Sequence, residues 1–330
     1  MAEGRIVVVG ASRGGVNALR KLASMLPQQF PAPVLAVLHI GDNRSILPLL
    51  LSRAGPMPAR HPEDGERLED GVIYVAPPDR HLIIEEHTVR VMQGPKEHHA
   101  RPAIDPLFVS AALTHGPGAI GVVLTGTGND GAFGVQAIKQ CGGIAVVEHP
   151  NTALAPEMPL AALRQGVVDY TVHLEEVAGL LQRLLAEPAP AATPLPPEDL
   201  AREFDVFLGR GDAMANLAAI GKPSTFVCPD CEGALWEIDN ADPPRYRCHV
   251  GHGFSLQSLL DAQGEDTDAS LWAAIRGLQE RGLLLEKLAR VHSESDPGRS
   301  AEIEESARLM AQHAQALRGL VESGWRPSSG

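Results

Sequence analysis

A serine in a glycine-rich turn is the first residue along the chain whose surroundings point to chemistry. Residues 10–14 (GASRG) have the G-x-S-x-G pattern of a sharp strand-to-helix turn that exposes a serine, here Ser12, as a nucleophile. The glycines keep bulk away from the turn, and the N-terminus of the following helix offers N–H donors to a developing oxyanion. The same residues are also typical of a tight turn in which Ser12 only caps the helix, so this segment alone leaves both interpretations open.

A dinucleotide-binding turn is the competing interpretation of the same segment. Gly10, Ser12 and Gly15 occupy the three positions at which that fingerprint has glycine. A serine in the middle keeps the backbone from approaching a pyrophosphate closely. The next predicted strand runs into Leu38 and His39 instead of the acidic residue that would bind a ribose. The sequence therefore favours serine chemistry over dinucleotide binding.

A histidine and an aspartate follow two other predicted strands. His39 comes directly after the second strand, and Asp130 lies in the glycine-rich segment 124–131 (LTGTGNDG) after a later one. Taken singly, His39 also fits a structural role and Asp130 an Asx turn. Because the carboxyl ends of parallel strands meet at one edge of a sheet, we expect Ser12, His39 and Asp130 to form a row of nucleophile, base and orienting carboxylate. Their order in the chain differs from that of ordinary α/β-hydrolases, so that fold is not implied.

Cysteines and histidines in the C-terminal half form a second cluster, with the spacing of a metal site. Cys228 and Cys231 are followed by Cys248 and His252 in the pattern C-x2-C-x16-C-x3-H, which is typical of a zinc ribbon. We expect these four residues to bind zinc, with His249 as the alternate ligand. Four protein ligands leave no position for a metal-bound water, so the predicted site is structural. Three reduced cysteines without a metal are the alternative.

The elements that must position the serine, histidine and aspartate indicate an α/β domain over residues 1–185. Short, nearly all-apolar runs alternate with amphipathic helical segments, which predicts a doubly wound, mostly parallel sheet with helices on both faces. Residues 74–92 alternate differently and predict a hairpin in or beside that sheet. The predicted strands of the sheet are residues 5–9, 33–39, 71–76, 119–125 and 143–147.

The C-terminal part of the chain differs in composition from the α/β domain. A segment rich in proline and alanine predicts an extended linker over residues 186–200. Beyond it we expect a small, zinc-ribbon-like β module over residues 201–260. A helical hairpin is expected over residues 261–330, because apolar residues recur there at helical spacing. The two helices of this hairpin are predicted at residues 269–292 and about 298–323.

Composition and charge limit the class of protein. The 330 residues are 44% hydrophobic, and 41 acidic against 28 basic residues give a net charge of −13, which argues against a nucleic-acid partner. No apolar run reaches the ~18 residues of a membrane span. The first strand begins too early for a signal peptide, so we expect a cytoplasmic protein without membrane insertion. Four cysteines are too few for a disulfide scaffold, and Cys141 is predicted to be a buried structural thiol.

Several segments, in this order, resemble the catalytic domain of the chemotaxis receptor methylesterases, the CheB family. The resemblance implies a nucleophilic role for Ser12, a base role for His39 and an orienting role for Asp130. It also implies hydrolysis of glutamate γ-methyl esters on helical chemoreceptor-type proteins, in some members deamidation of glutamine, and no cofactor for catalysis. The segments are VVVGASRGG, VLHI, DGVIYVAPPDRHL, HHARPAIDPLF, VVLTGTGNDGAFG and MPLAAL.

The sequence departs from the family pattern at two positions beside the expected oxyanion site. Arg13 stands where many members have threonine, and Thr127 replaces the methionine of a G-M-G-x-D-G loop. A contribution from a backbone N–H survives either change, whereas a side-chain contribution does not. The two departures therefore bear on rate and substrate preference more than on the type of reaction.

The arrangement of segments also differs from members that carry an N-terminal receiver domain. This chain begins on the first strand of the esterase, so we expect regulation to be absent, supplied in trans or carried by the C-terminal part. The cysteine-containing segment resembles a module that follows the esterase domain in receiver-less CheB-like proteins. We expect that module, or the helical hairpin, to bind a protein partner.

Two other functions compete with the methylesterase hypothesis. One is a non-catalytic signalling protein that keeps the esterase fold, and the other is a small-molecule esterase. Retention of Ser12, His39 and Asp130 weighs against the non-catalytic alternative, because a degenerate scaffold need not keep all three.

Overall fold

The computed structural model describes residues 4–40, 44–188 and 195–323. Contacts divide the chain into two compact units, Met1–Leu259 and Leu260–Gly330. The first unit contains a parallel sheet and a smaller sheet that carries the clustered cysteines. The middle of the predicted linker, residues 189–194, lies outside the described residues.

The α/β part of the first unit alternates strands and helices, as its sequence predicts. Its elements are β1 (Ile6–Ala11), α1 (Gly15–Met25), β2 (Val34–Leu38), α2 (Leu47–Ala54), β3 (Ala59–Arg60), β4 (Ile73–Val75), β5 (His81–Glu85), β6 (Thr88–Met92), α3 (Ile104–His115), β7 (Ala119–Val123), α4 (Ala132–Gln140), β8 (Ile144–Glu148), α5 (Glu157–Arg164), β9 (Tyr170–Val172) and α6 (Leu174–Ala186).

In the described residues, seven strands form one sheet in the order β3-β4-β2-β1-β7-β8-β9, and each neighbouring pair is parallel. The central strand β1 is buried on both faces. Its Ile6 and Val8 pack toward α3, α4 and α5, whereas Val7 and Val9 pack toward α1, α2 and α6. This two-sided burial is why the strand is almost wholly apolar. The predicted doubly wound α/β fold is confirmed.

Strands β5 and β6 pair as a separate antiparallel hairpin, which agrees with the different alternation of residues 74–92. The side of the hairpin that faces the core contains Leu82, Ile84 and Val89, which join the cluster around α3.

The rest of the first unit begins with two helices that the sequence did not predict. The elements are α7 (Glu198–Leu208), α8 (Ala213–Ile220), β10 (Gly221–Val227), β11 (Ala234–Ile238), β12 (Arg245–Cys248) and β13 (Gly253–Ser255). Strands β10 to β13 form a four-stranded antiparallel sheet within the described residues, here called the cysteine-bearing sheet. Its presence after the parallel sheet agrees with the predicted β unit.

Two long helices account for the second unit, α9 (Leu256–His292), which starts just before the unit boundary, and α10 (Pro297–Glu322). The predicted helical hairpin is confirmed, although α9 begins earlier than residue 269. Small residues allow the helices to approach: Ala289, Ala307 and Ala314 are buried, and Ser300 Oγ donates to the carbonyl of Ala289 at 2.8 Å. No helix among the described residues is both long and apolar enough to cross a membrane.

Candidate functional site

Three neighbouring strands bring Ser12, His39 and Asp130 to one edge of the parallel sheet. β1 lies between β2 and β7, and the chain leaves it toward α1 on one face while β7 leads into α4 on the other. Ser12 follows β1, His39 follows β2, and Asp130 lies in the loop after β7. Backbone hydrogen bonds join the ends of these three strands. The His39 N–H donates to Ala11 O at 3.3 Å, and the Ser12 N–H donates to Thr125 O at 3.0 Å. Such an edge is where doubly wound sheets bind ligands.

The three side chains form a continuous row. His39 Nδ1 lies 3.1 Å from Ser12 Oγ, and His39 Nε2 lies 2.6 Å from Asp130 Oδ2. Burial acts to raise the pKa of Asp130, but the hydrogen bond from His39 and the charges nearby lower it to about 2. Asp130 is therefore a carboxylate that accepts the Nε2 proton, which leaves the Nδ1 lone pair to accept the Ser12 hydroxyl proton. The ring is reversed relative to the chymotrypsin template, in which Nε2 faces the serine.

Backbone donors fix the remaining positions of the Asp130 carboxylate. Ile104 N–H donates to Oδ2 at 2.6 Å, and Asp105 N–H donates to Oδ1 at 2.9 Å. The side chain is only 3% exposed. A buried carboxylate that accepts several hydrogen bonds stays ionised and does not rotate, so it can hold the imidazole in one orientation.

The turn that carries Ser12 is built from close contacts. Gly14, with φ +82°, is the residue before α1, and this left-handed conformation suits glycine. On the other side, a Cβ at Gly126 would lie 2.8 Å from the Cβ of Ser12. Thr125 Oγ1 donates to the carbonyl of Arg13 at 2.9 Å and ties the two loops together. The serine therefore sits at the N-terminus of α1, where backbone dipoles favour negative charge.

A cleft of about 420 Å³ opens beside the imidazole. His39, Asp79, Lys96, His99 and Arg101 supply its polar lining. Arg101 is held by Asp79, with Arg101 Nη2 at 2.7 Å from Asp79 Oδ1. A cleft of this size can admit an extended side chain as far as the His39 imidazole.

His98 and Asp105 lie behind Asp130, and the sequence analysis assigned neither a role. Asp105 Oδ1 accepts the N–H groups of Gly131 and Gly134 at 2.9 and 2.6 Å, and its Oδ2 lies 2.8 Å from His98 Nε2. One signal was available, because Asp105 is the single acidic residue of a helix that is buried along most of its length. An acid in such a setting is seldom placed without a polar partner.

The four predicted metal ligands lie together in the cysteine-bearing sheet. One donor atom from each of Cys228, Cys231, Cys248 and His252 lies within 4.8 Å of the others. The alternate ligand His249 is exposed and lies outside this group. Cys141 is buried in the core below the parallel sheet, and burial raises its pKa to about 11.

The separations within this cysteine cluster suit a tetrahedral zinc ion. The Sγ atoms of Cys231 and Cys248 are 3.7 Å apart, and Cys248 Sγ lies 3.5 Å from His252 Nδ1. Ideal tetrahedral bonds of zinc to sulfur and nitrogen give separations of about 3.8 and about 3.6 Å. A set of three thiols and one imidazole is also the donor chemistry of structural zinc sites. The residues present fit the ion.

A doubly wound sheet with a serine, a histidine and an aspartate in a row at its carboxyl edge is the arrangement of a serine hydrolase. A family model described as CheB methylesterase matches residues 7–181. The chain belongs to the CheB methylesterase family, as its sequence motifs indicated.

Relatives of known name match the same part of the chain. A putative protein-glutamate methylesterase/protein-glutamine glutaminase from Leptospira interrogans is 39% identical over 182 residues, which are 54% of this chain and 93% of that protein. Protein-glutamate methylesterase/protein-glutamine glutaminase 3 from Anaeromyxobacter dehalogenans is 40% identical over 183 residues, 54% of this chain and 53% of that protein. The crystal structure of the Thermotoga maritima CheB methylesterase catalytic domain superposes with a TM-score of 0.53 and 32% identity, and covers 55% of this chain and 98% of that one.

Proposed function

We propose that this protein is a protein-glutamate methylesterase that hydrolyses γ-methyl esters of glutamate on helical chemoreceptor-type proteins and also deamidates glutamine. The observation that carries the proposal is the row from Ser12 Oγ through His39 to Asp130, at 3.1 and 2.6 Å, in a chain of this family. The row is the machinery for acyl transfer through a serine. The non-catalytic alternative is not favoured.

In the first half-reaction, Ser12 Oγ bonds to the ester carbonyl carbon while its proton moves to His39 Nδ1. The bond from this carbon to the methoxy oxygen then breaks, and His39 returns the proton to the leaving oxygen, which departs as methanol. Asp130 stays ionised and stabilises the imidazolium. The N-terminus of α1 begins close after Ser12, and its dipole would favour the oxygen on which negative charge develops.

In the second half-reaction, water replaces methanol in the site. His39 Nδ1 takes one proton of this water, the oxygen attacks the acyl carbon, and Ser12 leaves with the proton that His39 returns. The product is a glutamate side chain. With glutamine as substrate, the first half-reaction releases ammonia and the second is unchanged.

The cysteine cluster is, in this proposal, a structural zinc site with Cys228, Cys231, Cys248 and His252 as its ligands. The ion supplies folding energy by joining the β10–β11 turn to the end of β12, because a small sheet buries little core of its own. All four ligands come from the protein, so the ion has no position for a reacting water and takes no chemical step in ester hydrolysis.

Methanol release from a receptor fragment carrying radiolabelled methyl esters tests the esterase proposal. Ser12→Ala is expected to lower the rate by at least about 10⁴-fold, because the nucleophile is lost. Ser24→Ala is the matched control, since Ser24 is an exposed serine of α1 whose hydroxyl donates to the carbonyl of Lys21 in the same helix. Wild-type rates in Ser12→Ala would remove Ser12 from the mechanism. A wild-type protein that hydrolyses free esters but not the receptor would replace the protein substrate with a small molecule.

A further inference from the structure

The loop that precedes α3 is joined to the cysteine-bearing sheet by backbone hydrogen bonds. Glu97 and Gly253 form a parallel bridge, in which the His98 N–H donates to Gly253 O at 2.8 Å and the Gly253 N–H to Lys96 O at 3.3 Å. Gly253 directly follows His252, a proposed zinc ligand. The cysteine cluster is therefore one residue away from a segment that contacts the esterase domain.

Side chains lock this junction. Arg247 donates to the two oxygens of Glu97 at 2.9 and 3.0 Å and also to Glu203, and all three side chains are 5% exposed. A Cβ at Gly253 would lie 2.0 Å from Glu97 Oε1, so the strand can approach this closely only with glycine. Buried, bidentate pairs of this kind fix the relative positions of the segments that carry them.

His98 occupies the centre of the junction in a strained conformation. Its φ is +53° and that of His99 is +61°, values that residues other than glycine keep only where neighbouring contacts hold them. The imidazole is 8% exposed. Its Nδ1 lies 3.0 Å from Ser258 Oγ, and its Nε2 lies 2.8 Å from Asp105 Oδ2. One side of the ring thus contacts the segment after the cysteine-bearing sheet, and the other contacts the esterase core.

From His98 the contacts continue to the candidate active site. Asp105 accepts the N–H group of Gly134 in the first turn of α4 and that of Gly131 in the turn that follows Asp130. That turn sets the direction of the Asp130 carboxylate toward His39. A displacement of His98 would therefore reach Asp130 through one intervening side chain.

We infer that His98 is a positioning residue for the Asp130 carboxylate, and that residues 253–258 of the C-terminal part hold His98 in place. The inference rests on the proposed function, because that function gives Asp130 the task of orienting His39. If this inference is right, the cysteine-bearing sheet helps to keep the esterase site in its active geometry, and a displacement of the sheet changes the rate of ester hydrolysis. Small misplacements of catalytic groups cost as much as about 10²-fold in rate.

Steady-state methanol release by the full-length protein tests the inference. His98→Ala is expected to lower kcat by about 10- to 100-fold while KM stays within about twofold, because orientation of the base matters most in the transition state. Ser258→Ala is expected to lower kcat in the same direction by less. His115→Ala is the matched control: it removes a half-buried histidine at the other end of α3 and should leave kcat unchanged.

A double-variant cycle separates positioning from general damage. The effect of His98→Ala should disappear when Asp130 is already replaced by alanine, since the two groups act through one carboxylate. An equal loss in both backgrounds, or a wild-type kcat in His98→Ala, would overturn the inference. If His98→Ala does not fold, His98→Leu, which fills the space of the ring but has no donor for Asp105, gives the same comparison.

Amide hydrogen exchange keeps this test independent of the proposed function. Exchange at Gly131 and Gly134 is expected to speed up at least about tenfold in His98→Leu, because their acceptor Asp105 loses the hydrogen bond from residue 98. Unchanged exchange at both amides would overturn the inference. A wild-type protein that releases no methanol would overturn the proposed function instead, and would leave the exchange result to decide the positioning role.

Discussion

Asp105 and Asp130 each cap the helix beside the other. Asp130, just before α4, accepts the N–H groups of Ile104 and Asp105 at the start of α3, and Asp105 accepts those of Gly131 and Gly134 at the start of α4. Two carboxylates are thereby kept in the core, each hydrogen-bonded to a histidine and to backbone N–H groups. The cost of burying these two carboxylates is offset by the positive ends of two helix dipoles and by hydrogen bonds to His39 and His98.

Replacing Asp130 by asparagine should separate orientation of His39 from folding. The amide oxygen can still accept an N–H from α3, but the amide cannot stabilise an imidazolium, so we expect kcat to fall by about 10⁴-fold. Methanol release measures the fall in kcat, and circular dichroism measures whether the variant still folds. Asp64→Asn, at an exposed carboxylate that bonds the Val91 N–H, is the control. A loss below tenfold would assign the orienting role to another group.

Adding a methyl group at Gly126 should disturb the serine directly. The new Cβ would lie 2.1 Å from Met158 Sδ and 2.8 Å from the Ser12 Cβ. We expect Gly126→Ala to cost about 1–3 kcal/mol of stability and to lower kcat by about 10²-fold. Urea unfolding measures the loss of stability, and methanol release measures the loss of kcat. Gly277→Ala adds the same group where no heavy atom lies within 4 Å, and it should leave both unchanged or raise stability slightly. Full activity in Gly126→Ala would show that Ser12 tolerates the displacement.

Stability should fall in mildly alkaline solution because of His98. Burial acts to lower its pKa, but the hydrogen bond and charge of Asp105, with Asp130 and Glu97 nearby, raise it to about 9 from 6.5. A raised histidine pKa stabilises the fold fully below pH 6.5, and this contribution is lost as the pH rises through about 9. Burial and then the charge of Asp130 raise the pKa of Asp105 itself, so the net gain is smaller than the shift of His98 alone would give.

Urea unfolding between pH 6 and pH 10 checks this dependence. The wild type should lose up to about 3 kcal/mol more than His98→Gln over that interval. The variant matters as a reference because Arg247, the other cation that faces Glu97, stays charged throughout. If the free energy of unfolding changes equally with pH in the wild type and in His98→Gln, His98 is neutral in the folded protein.

Removal of zinc should destabilise the first unit and slow the esterase. We expect a stoichiometric amount of zinc by elemental analysis, lost on chelation or in Cys248→Ser, with a fall of several kcal/mol in the free energy of unfolding. Cys141→Ala, at the cysteine outside the cluster, should retain the metal. A zinc-free protein that unfolds at the same urea concentration would favour the unmetallated alternative.

The sequence was most informative where function depends on strand ends. Ser12, His39 and Asp130 could be predicted to meet because each follows a nearly all-apolar strand, and parallel strands bring their carboxyl ends to one edge. The cysteine cluster was found from local spacing. The division of the chain into four parts at residues 185, 200 and 260 stays a prediction.

Contacts between distant segments leave no comparable pattern in the sequence. Glu97 and Arg247 are separated by 150 positions, and neither stands in a motif whose spacing points to the other. The helices α7 and α8 were missed because residues 198–220 follow a proline-rich stretch that reads as linker. The start of α9 was missed because residues 264–268 (GEDTD) are poor helix formers, and the helix continues through them.

The guanidinium of Arg247 lies between Glu97 on the esterase side and Glu203 of α7. Without Arg247, Glu97 would be a buried carboxylate that has lost its ion-pair partner, and without Glu97, Arg247 would keep Glu203 but lose its bidentate partner. Grafting this C-terminal region onto a related esterase should therefore succeed only where the recipient supplies a glutamate at the position of Glu97. We expect an exchange that moves only one partner of this ion pair to give a less stable protein than one that carries both partners together.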